Sequence, residues 1–95
     1  MELSLDSKVM VAQDAVSCDL MDEVALLNVK DGIYYGLNPV GASVWSLIQK
    51  PRKVSDILNI LLDEYDVDAE TCQKDLLELL NLLMEKELVK IEWWF

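Results

Sequence analysis

The segment Gly32-Ile33-Tyr34-Tyr35-Gly36-Leu37-Asn38-Pro39-Val40-Gly41-Ala42-Ser43-Val44-Trp45-Ser46-Leu47-Ile48 constrains the fold most, because it runs an aromatic strand-like stretch directly into a capped helix. Asp31-Gly32 is a turn signal between two apolar runs, Val24 to Val29 and Ile33 to Leu37, since glycine adopts positive φ without steric cost. The two runs read as a β-hairpin. Asn38 offers a side-chain oxygen to the free amides of a helix start, and Pro39 has the φ of a first helical residue and no amide to leave unpaired. A helix is therefore predicted from Pro39. Gly41, Val44, Trp45 and Ile48 form its apolar stripe, with Gly41 small enough to admit a close neighbour and Pro51 ending the helix.

The remaining elements follow from periodicity. Lys8 to Gln13 reads as a first strand, and Val16 to Leu20 as a weaker one. Alternation places Ile33, Tyr35 and Leu37 on one face, assigned to the core, and Tyr34 and Gly36 on the other. A second, amphipathic helix is expected from Val54 to Tyr65. A third begins after Asp68 as N-cap and reaches Lys86, with Cys72, Leu76, Leu79, Leu80 and Leu83 as its stripe. Leu77, Leu82 and Met84 lie outside that stripe, and two readings stay open. Either Leu77 and Met84 pack on the first two helices and Leu82 is a scattered surface leucine, or one flank of this helix walls an apolar groove opposite the strand Ile33 to Leu37. Leu88-Val89-Lys90-Ile91 is expected at the surface, and Trp93-Trp94-Phe95 as chain-end packing or as an anchor for a partner. The expected architecture is α+β: one domain over residues 1–95, with a three-stranded antiparallel sheet (about 8–37), three helices (about 39–86) and a C-terminal tail (88–95).

Charge and missing residue types narrow the function. Eighteen acidic residues against eight basic ones give a net charge of -10, which repels a phosphate backbone, and no basic cluster exceeds Arg52-Lys53. Nucleic acid is not expected as a partner. With no histidine, the commonest general base and metal ligand are lacking, and the carboxylates fall on polar helix faces and in turns. No catalytic residue, metal site or cofactor is expected, and the chain does not read as an enzyme. No apolar run reaches the roughly 18–20 residues of a membrane span, and Met1 to Ser7 has no signal-peptide character, so a cytoplasmic protein without membrane contact is expected. Cys18 and Cys72 have no metal-like spacing and read as reduced, buried thiols.

The order of strands and helices resembles the PqqD family, the small winged-helix-turn-helix domains also called RiPP recognition elements. The matching residues are Leu27, the Asp31-Gly32 turn, Tyr34-Tyr35-Gly36-Leu37-Asn38, Gly41, Trp45, Val54, Ile57, Tyr65, Asp75-Leu76, Leu79-Leu80, Leu83 and Leu88-Val89. Within that family the chain is most similar to the discrete leader-binding proteins of lasso-peptide pathways. The resemblance implies binding of the leader segment of a ribosomally made precursor peptide, added as an antiparallel strand to the third strand and packed on the third helix. It also implies presentation to a leader peptidase or another modifying enzyme. The peptide-binding residues it points to are Ile33, Tyr34, Tyr35, Gly36, Leu37, Asp75, Leu76, Leu79, Leu82 and Leu83. The alternatives are a winged-helix transcriptional regulator and an adaptor that docks onto an enzyme through its C-terminal aromatics.

Overall fold

A computed structural model describes residues 3–13, 15–20 and 23–92, apart from the side chains of residues 19 and 20. In chain order the elements are β1 (Lys8–Val11), β2 (Ala15–Leu20), β3 (Glu23–Asn28), β4 (Ile33–Leu37), α1 (Pro39–Leu47), β5 (Arg52–Lys53), α2 (Val54–Glu64), α3 (Ala69–Glu85) and β6 (Val89–Glu92). The strands form two small antiparallel sheets, ordered β5-β1-β6 and β2-β3-β4.

This corrects the expected sheet. β1 leaves the hairpin strands and pairs with β6 at the far end of the sequence, Val9 opposite Ile91 and Val11 opposite Val89. Its place is taken by β2, the run with the weaker strand pattern, which pairs with β3 along its whole length. The reason is burial: Leu88 and Val89, expected at the surface, are enclosed in the core with Val9, and strand pairing satisfies the backbone that burial would otherwise strand. Residues 93–95, with the terminal aromatics, lie outside the described residues.

Local chemistry fixes the helix ends. Asn38 Oδ1 accepts the Gly41 amide at 2.8 Å and Pro39 occupies the first turn, as expected for α1. The helix stops at Leu47, before Pro51, and its last carbonyls accept from side chains that follow it: Arg52 Nε donates to Leu47 O at 2.8 Å and Gln49 Nε2 to Trp45 O at 3.0 Å. The first amides of α2, which has no side-chain cap, donate instead to the N-terminal segment, Val54 to Ser7 O and Ser55 to Leu5 O, both at 2.9 Å. Asp68 caps α3 by accepting the Thr71 amide at 3.0 Å. The α3 terminus is a Schellman turn in which Leu88 N donates to Leu83 O and Glu87 N to Met84 O, with Glu87 at φ 61°.

The core joins the inner face of β3 and β4 to all three helices through Leu26, Leu37, Trp45, Ile57, Leu61 and Leu80. Gly41 is needed where α1 crosses β4, since a Cβ there would lie 3.3 Å from Leu37 Cβ and Cδ2. Gly32 holds φ +69° in the β3–β4 turn, where its amide donates to Asn28 O at 2.8 Å. No helix among the described residues is long and apolar enough to cross a membrane.

Candidate functional site

Among the described residues β4 is hydrogen-bonded only to β3, which leaves its second edge open. An open edge is a row of unpaired amides and carbonyls ready to accept another strand. Where β4 ends, at Leu37, a cavity of about 480 Å³ begins between α1 and α3. One wall is the start of α1, with Asn38, Val40 and Val44, and the other is α3, with Cys72, Leu76, Leu79 and Leu82, while Leu61 and Tyr65 close the end from α2. Ser43 Oγ and the Tyr65 hydroxyl, 3.0 Å apart, tie α1 to the end of α2 beside it. The lining is apolar and its α3 rim is acidic: Asp75 and Glu78 stand beside Thr71, and neither carboxylate is paired with a cation among the described residues.

Asp75, Leu79, Leu82 and Lys86 follow one another at helical spacing, so they share one side of the end of α3. This row leads from the cavity to β4, where Lys86 Nζ lies 5.9 Å from the centre of the Tyr35 ring. Asn28 holds the two elements together. It is buried at the end of β3, donates through Nδ2 to Lys86 O at 2.7 Å, and accepts the Lys30 amide on Oδ1 at 2.9 Å. Its chemistry at the end of an apolar run is a signal for a turn; the contact with the far end of α3 has no local signature.

The ten residues expected to bind peptide separate into groups. Asp75, Leu76, Leu79 and Leu82 line the cavity, with Leu82 49% exposed although it lies on a helix packed against the core. Leu83 is a core residue and does not reach the cavity. On β4, Leu37 is buried under α1, Tyr35 is half-buried beneath Lys86, and Ile33, Tyr34 and Gly36 are exposed. The expectation that Ile33 is core fails because it stands at the hairpin end beside the turn; it is 50% exposed. The wall that faces α3 across this cavity is α1 rather than β4. The start of α1 lines the cavity, because Leu37 is drawn into the core beneath Gly41 and the strand passes under the helix. Val40 and Val67, apolar, exposed and lining the same cavity, were not among the expected residues; their exposure follows from tertiary packing alone.

Cys72 faces the cavity, and its thiol pKa is raised, first by burial and then by the Asp75 carboxylate nearby. Cys18 is exposed on β2, contrary to the expected burial, because β2 is an outer strand of its sheet. The described residues bring no group of three or more histidine, cysteine or acidic side chains into metal-binding range.

The sequence profile of coenzyme PQQ synthesis protein D (PqqD) matches residues 23–89 of this chain, from β3 to the start of β6. The chain belongs to the PqqD family. It is a PqqD-like RiPP recognition element. Among solved structures, this PqqD-family chain is similar to TbiB1 in complex with the TbiA(beta) leader peptide, at 35% identity over 90% of this chain and 98% of that one, with a TM-score of 0.78. It also shares the fold of a lasso peptide synthetase B1 complexed with its leader peptide, at 20% identity over 86% and 96% of the two chains, with a TM-score of 0.77. No curated protein sequence matches it.

Proposed function

We propose that this chain binds the leader segment of a ribosomally synthesised precursor peptide and presents it to a separate processing enzyme, a leader peptidase of a lasso-peptide pathway. The observation that carries the reading is one adjacency: the open edge of β4 ends where the apolar cavity against α3 begins. An extended peptide added antiparallel to β4 turns every second side chain toward the row Asp75, Leu79 and Leu82. The similarity to a leader-bound relative over nearly the whole chain supports the same reading.

The energetics suit a carrier. Four or five added backbone hydrogen bonds contribute about 1 kcal/mol each, and each buried apolar anchor about 1.5–3 kcal/mol. Ordering and immobilising the peptide costs about 4–15 kcal/mol. A dissociation constant between micromolar and tens of nanomolar, about -8 to -10 kcal/mol, is tight enough to select the leader and loose enough to release it. The chain order α1-β5-α2-α3-β6 supports the winged-helix-turn-helix description, with β1 completing the small sheet. A DNA-reading role is disfavoured, because α3 carries Glu70, Asp75, Glu78 and Glu85 against Lys74.

Calorimetric titration with a synthetic peptide matching the leader of the precursor encoded beside this gene tests the proposal. Saturable one-to-one binding is expected, and the absence of binding at about 100 μM peptide contradicts it.

A further inference from the structure

The large exposed apolar side chains among the described residues divide into two groups. Val40, Val67 and Leu82 line the cavity, whereas Val16, Val29, Ile33 and Tyr34 belong to β2 and the β3–β4 hairpin. Leader packing on α3 accounts for the first group; on β4 the leader uses the backbone edge, which leaves the outward side chain of Tyr34 and the whole of Val16 on β2 without a role.

Strand register places two of that second group, Val16 and Tyr34, on one surface. Val16 pairs with Leu27 and Leu27 with Tyr34, while Cys18 pairs with Ala25 and Ala25 with Gly36. Both rows lie on the face of the sheet opposite the one that sends Leu26 and Leu37 into the core. Val16 is 51% exposed and Tyr34 70%. Neither row contains a charged residue, in a chain whose net charge is -10. A Cβ added at Gly36 would meet nothing within 4 Å, so the second row is a low shelf beside the ridge of Val16, Leu27 and Tyr34.

We propose that this outer face of β2, β3 and β4 is the docking surface for the enzyme that receives the bound peptide, a protein presenting an apolar patch bordered by lysine and arginine. Charge selects that occupant over a second copy. Exposed Glu23 shares the face with Ala25 and Leu27, exposed Asp31 stands at the hairpin tip, and two copies would oppose -10 with -10. Continuity adds a function. A leader strand on the β4 edge turns its alternate side chains onto this same face as a further row, so the loaded chain offers the enzyme a wider surface than the empty one. This continuity rests on the leader reading; the arguments from exposure and charge do not.

The test titrates each precursor-processing enzyme encoded beside this gene against the intact chain, empty and saturated with synthetic leader peptide. One of them is expected to bind, more tightly to the loaded chain, and Val16→Lys is expected to weaken that binding by about tenfold or more while leaving leader affinity within about twofold. Thermal melts by circular dichroism verify the fold, and Val16→Thr, which keeps the branched strand-compatible side chain, gives a smaller loss if the lysine variant does not fold. Unchanged enzyme binding in folded Val16→Lys, or binding by none of the enzymes, overturns the proposal. So does sedimentation in which the chain alone is a dimer that Val16→Lys dissolves, since a second copy then owns the face. Val16-dependent enzyme binding by a chain that takes no leader keeps the docking surface and removes the leader reading instead.

Discussion

Glu87 holds φ 61° at the position where a Schellman turn ordinarily has glycine, and it puts a negative charge beside the negative end of the α3 dipole. The left-handed conformation costs a side-chain-bearing residue about 1–2 kcal/mol, partly offset by the extra freedom glycine has when unfolded. Glu87→Gly is therefore expected to stabilise the fold by about 0.5–1 kcal/mol, read as a higher urea midpoint at unchanged slope. Asn28 acts in the opposite sense, because its amide closes bonds to Lys86 O and the Lys30 amide from a buried position. Asn28→Ala leaves both partners unmatched and is expected to cost about 1–3 kcal/mol in the same measurement. Cys72 adds a pH dependence on the alkaline side. Its raised pKa means that the folded chain favours the protonated thiol, so its contribution to stability is intact below the ordinary cysteine pKa and is lost as pH rises through the raised value. Alkylation at neutral pH should accordingly modify exposed Cys18 well before Cys72, and bound leader should slow Cys72 further. Mass spectrometry of timed aliquots reads both rates.

The elements legible in the sequence are those whose determinants are local. The Asp31-Gly32 turn, the Asn38-Pro39 start of α1 and the Asp68 cap of α3 each need only neighbouring residues, and all three stand where their chemistry puts them. The pairing of β1 with β6 is not local, and a short run such as Leu88 to Ile91 has the same pattern as a surface tail until a partner strand buries it. The site divides in the same way. Periodicity on α3 separates Leu82 from the core stripe, and Leu82 is exposed in the cavity; Leu83 belongs to the core, and the opposite wall comes from α1, because the depth of Leu37 beneath Gly41 is a matter of packing. Leu82→Ala tests the assignment of this element. It is expected to change stability by less than about 1 kcal/mol and to weaken leader binding several-fold, as for an exposed anchor. Large destabilisation with unchanged affinity, measured by denaturation and calorimetry together, returns Leu82 to the core.

At the scale of the whole molecule, a net charge of -10 coexists with two mainly apolar surfaces bordered by carboxylates, the cavity between α1 and α3 with Asp75 and Glu78 on its rim and the outer sheet face with Glu23 at its end. In the proposed complex apolar contact is expected to supply most of the affinity and the surrounding acid to set the rate and the choice of cargo. A leader carrying lysine or arginine beside its apolar anchors is expected to associate faster at low salt than at high, since exposed pairs are screened over about 8–10 Å. Asp75→Asn should remove part of that salt dependence and cost about 0.5–2 kcal/mol of affinity, and stopped-flow association with calorimetry at two salt concentrations measures both. The central claim is that the peptide joins the β4 edge and lies along α3, and amide NMR of the isotope-labelled chain during leader titration tests it most directly. The account predicts the largest shifts in Ile33 to Leu37 and along Asp75, Leu79 and Leu82, with β2 little changed; shifts confined to α2, or to the opposite sheet edge at β2, contradict it.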